Sequence, residues 1–135
     1  MRRAAGALAG LVLSLFCAAA AAAQPAPVAL IHIDGVINPV TMRLVELAID
    51  RAQAQRSQAL IIELDTPGGL ERSMRGIVQR MLNADLPVIV YVAPTGARAA
   101  SAGVFITMAA HVAAMAPATN IGAAHPVALG GGVDK

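Results

Sequence analysis

Cysteine, lysine and aromatic residues are scarce in this sequence, and these shortages narrow what the chain can do. The single cysteine, Cys17, lies in an apolar N-terminal run, so the rest of the chain can form neither a disulfide framework nor a thiolate metal site. The three histidines lack the spacing of metal ligands, and no metal or cofactor is expected. The abundant apolar residues are mostly Ala, Val, Leu and Ile, which suits a tightly packed α/β core and argues against disorder.

A surplus of positive charge is also missing once the N-terminus is set aside. The formal net charge is +2, from ten basic and eight acidic residues. Arg2 and Arg3 account for that excess, because removing two of the ten basic residues leaves eight against eight acidic ones. A neutral body gives no support for a basic face, so no nucleic-acid partner is expected.

The first 23 residues have the pattern of a secretory signal peptide. Arg2 and Arg3 precede an apolar run that ends in an alanine tract at Ala23. This order predicts cleavage near Ala23, followed by a short linker over 24–27. An uncleaved membrane anchor is the alternative, because the run approaches the length that spans a bilayer. In both cases the body is expected to be exported, to the periplasmic or extracytoplasmic face of the membrane.

The body, residues 28–135, alternates between strand and helix patterns. Such alternation is typical of βαβ units that build a parallel sheet, so an α/β fold is predicted. The chain then stops in a glycine-rich loop without a closing element, and the domain is expected to be incomplete. Strands are predicted at Val28–Asp34, Ala59–Asp65, 87–93 and Val112–Met115, and helices at 41–55, 70–83 and 101–110.

The segment DTPGGL, residues 65–70, follows a buried strand and precedes a helix. Ligands bind at the carboxyl ends of strands in open α/β sheets. A Gly-Gly pair there lets the backbone approach a ligand and leaves N–H groups at a helix N-terminus for an oxyanion. The plainer interpretation is a simple strand-to-helix turn, because Pro-Gly-Gly turns are common.

The segment GARAASAG, residues 96–103, also follows a strand and begins a helix. It carries one serine, Ser101, among small residues. A nucleophilic serine needs exposure, neighbours without bulk and a nearby N–H group for the developing negative charge. The alternative is that Ser101 merely caps the helix. Because both segments end strands of one predicted sheet, they are expected to converge, with one supplying a nucleophile and the other an oxyanion donor.

Several separated segments together resemble the ClpP-class membrane serine peptidases of the NfeD family, and more distantly signal peptide peptidase A and ClpP. The resemblance runs from about Val28 to His125 and implies a ClpP/crotonase-like fold, built from repeated ββα/βαβ units and truncated at the C-terminus. The segments that carry it are IHIDGVINP, DTPGGL, LPVIVYVAP, ARAASAGVFI and MAPATNIGAAHPV.

The resemblance also implies an activity, a serine endopeptidase, and the residues that perform it. Ser101 matches the nucleophile, and the backbone N–H groups of Gly69 and Ala102 match the oxyanion hole. Gly68, Leu70 and Arg98 are expected to contact the substrate. The resemblance suggests apolar stretches of membrane proteins as substrates, a stomatin-like protein as a partner, association with the membrane, and a homo-oligomer.

The general base is left open by the sequence. The family base is usually a lysine on a helix beyond the GAAHPV loop, but the only lysine here is Lys135, the last residue. The expected base therefore lies beyond the end of the chain, and the fragment would then be inactive. Lys135 itself is a second candidate. A third is His125, close to the position of the catalytic histidine in ClpP proteins.

Two other functions compete with the peptidase. An acyl-CoA enzyme of the crotonase fold would use paired backbone N–H groups without needing a serine, although an export signal argues against a CoA substrate. A non-catalytic exported scaffold would keep the fold without the base. The remaining polar candidates are interpreted as structural, namely His32 in a strand, His111 near a helix end, and Glu63 and Asp65 on one face of a strand.

Overall fold

The computed structural model describes residues 26–124, which fold into alternating strands and helices. The predicted signal peptide with Cys17, and the base candidates His125 and Lys135, lie outside the described residues. In chain order the elements are β1 (Val28–Asp34), α1 (Pro39–Ala54), β2 (Ala59–Asp65), α2 (Glu71–Leu82), β3 (Val88–Val92), β4 (Arg98–Ala100), α3 (Ala102–Met108), β5 (Val112–Met115) and β6 (Asn120–Gly122).

The main sheet has four parallel strands in the order β1-β2-β3-β5, which confirms the predicted α/β architecture. The predicted bounds of β1, β2 and β5 agree with the structure, whereas β3 is one residue shorter at each end. In this register Leu30, Ile61, Ile89 and Val112 form one row across the sheet. The carboxyl ends of β1, β2 and β3 consequently lie along one edge.

The helices cover one face of this sheet and form the core with it. Side chains at alternate strand positions are buried on that face, as expected for a period of two. The opposite face carries the half-exposed row named above. The fully buried core residues include Leu60, Ile62, Leu64, Val88, Val90 and Val92 from the strands and Val45, Ile49, Ile77, Met81 and Ile106 from the helices.

Helix α1 begins at Pro39, two residues before the predicted start. Asn38 is the reason, because its side-chain oxygen accepts hydrogen bonds from the N–H groups of Val40 and Thr41 at 2.8 and 3.0 Å. Pro39 suits the first helical position, since it has no N–H group that needs a partner there. Local capping chemistry, not the apolar period, therefore sets this end of the helix.

Two short strands in segments predicted to be loops form a second sheet. Strand β4 pairs in parallel with β6, with Ala99 opposite Ile121. Neither segment was among the strands predicted from the sequence. Each strand has only three residues, which is too short for an alternating pattern to stand out. Strand β4 matters for the site because Ser101 follows it directly.

None of the helices within residues 26–124 is long and apolar enough to cross a membrane.

Candidate active site

The turn over residues 66–69 connects β2 to α2 and is held by its own hydrogen bonds. The hydroxyl of Thr66 accepts the N–H of Gly68 at 3.0 Å and lies 3.2 Å from the Gly68 carbonyl oxygen. Gly68 has φ +111°, a conformation that residues with a side chain rarely adopt. The backbone conformation therefore explains why glycine is needed at position 68, at the end of this strand.

Gly69 is held against Ile37, which follows β1. The two residues form an isolated parallel bridge, in which the N–H of Ile37 donates to Gly68 and its carbonyl accepts from Leu70. A bridge of this kind turns the N–H group of Gly69 away from Ile37. Within residues 26–124 that N–H has no hydrogen-bond partner, so it can serve an incoming oxyanion.

A side chain at Gly69 would also collide with the neighbouring backbone. A Cβ atom built there would overlap the carbonyl oxygen of Ile37 and lie 2.6 Å from its nitrogen. The bridge between the two segments therefore depends on glycine at this position.

Ser101 occupies a strained turn between β4 and α3. Its φ and ψ angles are +51° and −110°, a combination that costs a non-glycine residue about 1–3 kcal/mol. Its N–H donates to the carbonyl of Gly122 at 2.9 Å, so β6 helps to hold the turn. Such strain persists only where the surroundings enforce it, and it often accompanies a functional role.

The side chain of Ser101 does not cap the helix that follows it. Ser101 stands at the N-cap position of α3, yet its hydroxyl makes no capping hydrogen bond. The alternative interpretation of Ser101 as a simple cap is therefore wrong. The residue is of intermediate exposure.

The turn at Gly68 and the turn at Ser101 meet, as the predicted convergence of the two segments requires. A Cβ atom added to Gly68 would lie 2.7 Å from the Cβ of Ser101 and 3.1 Å from its Oγ. Only glycine permits this approach. The two turns thereby bring the Ser101 hydroxyl next to the segment that carries the N–H of Gly69.

A second free N–H group belongs to Ala102, the first residue of α3. The first hydrogen bond at this helix end joins the N–H of Val104 to the carbonyl of Ser101 at 3.0 Å, and the described residues offer no partner to Ala102. Ala102 and Gly103 are both buried. A Cβ at Gly103 would come within 2.6 Å of the Thr66 methyl group, which explains the small residues after Ser101.

Exposed apolar and cationic residues lie close in the chain to the residues that form or hold the two turns. Leu70 follows Gly69 directly and is 51% exposed, and Val36 precedes Ile37 and is 55% exposed. Arg98 is also exposed, and its side chain forms no ion pair within residues 26–124. Its backbone N–H donates to the Asp65 carboxylate at 3.0 Å, so the main chain is fixed while the guanidinium group stays accessible.

The other polar residues named from the sequence lie outside this meeting point. His32 and Glu63 are 3.4 Å apart on the half-exposed face of the main sheet. His111 accepts the N–H of Val88 at 3.1 Å through Nδ1, which confirms its structural role. No group of three or more potential metal ligands occurs among the described residues.

The sequence did not single out Thr66 or Ile37, although both shape the site. Thr66 is fully buried, and Ile37 holds Gly69 from the end of a different strand. A threonine before Pro-Gly-Gly signals a side-chain-stabilised turn. The contact of Ile37 with Gly69 has no local signal, because it joins residues 32 positions apart in the chain.

Comparison with known proteins places these features in a family context. A family model described as NfeD1b, N-terminal domain, matches residues 27–135. The membrane-bound protease PH1510 of Pyrococcus horikoshii is 47% identical over 96 residues, which are 71% of this chain and 22% of that protein.

Solved structures of similar proteins show the same fold. A lysine-to-alanine variant of the 1510-N membrane-bound stomatin-specific protease, in complex with a substrate peptide, is 44% identical with a TM-score of 0.75, covering 78% of this chain and 48% of that one. A serine-to-alanine variant is 41% identical with a TM-score of 0.76, covering 81% and 54%. A ClpP1 variant of Listeria monocytogenes, 23% identical over 60% of this chain and 46% of that one, has a TM-score of 0.54. The fold is therefore ClpP-like, and this chain spans about half of each solved relative.

Proposed function

The chain belongs to the NfeD1b N-terminal domain family, and from that premise we propose that it is part of a membrane-associated serine endopeptidase with Ser101 as the nucleophile. The observation that carries the proposal is the meeting of the two turns. A strained serine without a capping hydrogen bond packs against Gly68. The N–H groups of Gly69 and Ala102, which belong to the same two turns, have no hydrogen-bond partner within residues 26–124.

The proposed reaction is acyl transfer through Ser101. Its Oγ attacks the carbonyl carbon of the scissile peptide bond while its proton passes to a general base. The negative charge that develops on the carbonyl oxygen is stabilised by the N–H groups of Gly69 and Ala102. Such preorganised donors act at little reorganisation cost, and removing one in other enzymes slows catalysis about 10²–10³-fold. The leaving amine takes a proton, and water then hydrolyses the acyl-enzyme.

We assign the general base to a lysine outside the 135 residues of this sequence. In the 1510-N protease, alanine variants were made at one serine and at one lysine about 40 residues later. His125 follows Ser101 by 24 residues and Lys135 follows it by 34, so neither matches that separation. A lysine near Ser101 needs a neutral amine at neutral pH, which burial provides by disfavouring the charged form.

The surroundings of Ser101 support apolar peptide substrates. Leu70 follows Gly69 in the chain, Val36 precedes its bridge partner Ile37, and both have exposed apolar side chains. The exposed side chain of Arg98 can donate hydrogen bonds to the carbonyl groups of an extended peptide. The 1510-N protease is specific for stomatin. A stomatin-like membrane protein is the proposed partner of this protein, at the extracytoplasmic face of the membrane, and self-association is part of the proposal.

The test uses the complete gene product that contains this sequence, purified in detergent. Wild type and Ser101→Ala are compared in the cleavage of peptides from the apolar segments of a stomatin-like protein. Ser57→Ala is the matched control, because the buried Ser57 hydroxyl has no hydrogen-bond partner within residues 26–124 and its loss should be neutral. To identify the base, each lysine after residue 124, Lys135 included, is replaced with alanine in turn. His125→Ala is made as a separate variant.

Ser101→Ala should abolish cleavage while Ser57→Ala leaves it unchanged. Loss of cleavage on replacing a lysine beyond residue 135 would support the assigned base, whereas loss with His125→Ala alone would favour the ClpP-like pair. Full cleavage by Ser101→Ala would overturn the proposed nucleophile. A folded wild-type protein that cleaves none of the peptides would point to a scaffold.

A further inference from the structure

Thr66 contacts both the turn at Gly68 and the segment that leads into the turn at Ser101. It is fully buried at the end of β2. Its hydroxyl accepts the N–H of Gly68 and donates towards the Gly68 carbonyl oxygen. Thr66 therefore satisfies both backbone polar groups of Gly68, and Gly68 is the residue against which Ser101 packs.

The main chain of Thr66 holds the segment that leads into Ser101. Its N–H donates to the carbonyl of Arg98 at 2.7 Å, and its carbonyl accepts the N–H of Ala100 at 3.0 Å. Ala100 immediately precedes Ser101. Thr66 thus holds the turn at Gly68 through its side chain. Through its backbone it holds strand β4, which leads directly into Ser101.

The methyl group of Thr66 makes a separate contact. It packs against Gly103 in the first turn of α3, so closely that a Cβ there would come within 2.6 Å. The hydroxyl and the methyl group therefore act on different parts of the site. The hydroxyl holds the turn at Gly68, while the methyl group supports the helix after Ser101.

We propose that the Thr66 hydroxyl is a positioning group that sets the distance between the Gly69 N–H and the Ser101 hydroxyl. This inference rests on the proposed function and adds a residue to it. Without the hydroxyl, the buried N–H of Gly68 has no partner, and an unpaired buried donor drives the turn to rearrange. The Gly69 N–H then moves away from the place where the oxyanion forms, whereas peptide binding by the exposed side chains is unaffected.

The test compares three variants in the full-length protein, with kcat and KM measured separately on an apolar peptide. Thr66→Val keeps the shape and loses the hydroxyl, and Thr66→Ser keeps the hydroxyl and loses the methyl group. Thr107→Val is the matched control, because Thr107 is buried and its hydroxyl donates to the carbonyl of Gly103 within α3 at 2.8 Å. Thermal unfolding of each variant is recorded alongside.

Thr66→Val should lower kcat about 100-fold, the loss expected when a catalytic group is misplaced by about 1 Å, with KM changed less than about threefold. Thr66→Ser and Thr107→Val should keep kcat within about threefold of wild type. If Thr66→Val does not fold, Thr66→Cys takes its place and is compared with Thr66→Ser. The cysteine sulfur forms only weak hydrogen bonds, so Thr66→Cys should have the lower kcat of the two.

A wild-type kcat in Thr66→Val would overturn the positioning role while leaving the proposed function intact. Equal losses of kcat in Thr66→Val and Thr107→Val would also overturn it, because a general loss of packing would then explain the lower kcat. If wild type itself shows no cleavage that depends on Ser101, the proposed function fails and the positioning role fails with it.

Discussion

Replacing Gly68 with alanine should slow peptide hydrolysis about 100-fold by displacing Ser101. The added Cβ would lie 2.7 Å from the Cβ of Ser101, whereas an unstrained contact between carbon atoms is about 3.5–4.0 Å. Ser101 must therefore move by roughly 1 Å, and a shift of that size costs about 10² in rate. Expressed as an activation barrier, that loss is about 2.7 kcal/mol.

Gly35→Ala separates this displacement from backbone strain. Gly35 has φ +113°, close to the +111° of Gly68, but a Cβ at Gly35 would meet no atom of the described residues within 4 Å. Both variants should lose about 1–3 kcal/mol of folding stability, because both force alanine into an unfavourable conformation. Only Gly68→Ala should lose kcat.

The assay is steady-state cleavage of an apolar peptide by the full-length protein, with unfolding in urea measured in parallel. Gly35→Ala should keep kcat within about threefold of wild type. If Gly68→Ala has the same kcat as Gly35→Ala at similar stability, the close contact with Ser101 is irrelevant to activity, and the proposed site geometry is wrong.

Two further substitutions test the supports around the site. Asp65→Ala removes the acceptor of the Arg98 N–H and should cost about 1 kcal/mol in urea unfolding, whereas Asp65→Asn keeps an acceptor oxygen and should cost less than half of that. Equal losses in both variants would mean that the hydrogen bond at Arg98 contributes nothing. Asn38→Ala removes the cap of α1 and should lower the free energy of unfolding by about 1 kcal/mol, while Asn38→Asp should change it by only about a few tenths of a kcal/mol. An unchanged free energy of unfolding in Asn38→Ala would show that the cap is dispensable.

The long elements could be predicted from the sequence because each has a strong local pattern. The run Ala59–Asp65 is almost continuously apolar, as expected for a strand buried between two neighbours, and its observed bounds are the predicted ones. The helix Glu71–Leu82 was predicted from apolar residues at helical spacing and begins and ends within one residue of the prediction. In these segments local propensity and tertiary burial favour the same structure.

The short strands could not be predicted because their pairing is set by distant residues. Strand β4 has only the residues Arg98–Ala100, and its partners are Thr66 on one side and Asn120–Gly122 on the other. A sequence pattern of three residues carries no usable period. The strained φ of Ser101 arises in the same way, since its N–H is held by the carbonyl of Gly122, 21 positions later.

The scarcity of reactive side chains in this sequence is compatible with catalysis because most of the proposed site is backbone. In the proposed reaction only the Ser101 hydroxyl and the base are reactive side chains, and the proposed oxyanion donors are the main-chain N–H groups of Gly69 and Ala102. A site of this kind requires residues of small size at particular positions more than it requires reactive side chains. Gly68, Gly69 and Gly103 are each in contacts that leave no room for a Cβ atom. Substitutions that keep every reactive group but enlarge one of these glycines should therefore be as damaging as the loss of an oxyanion donor.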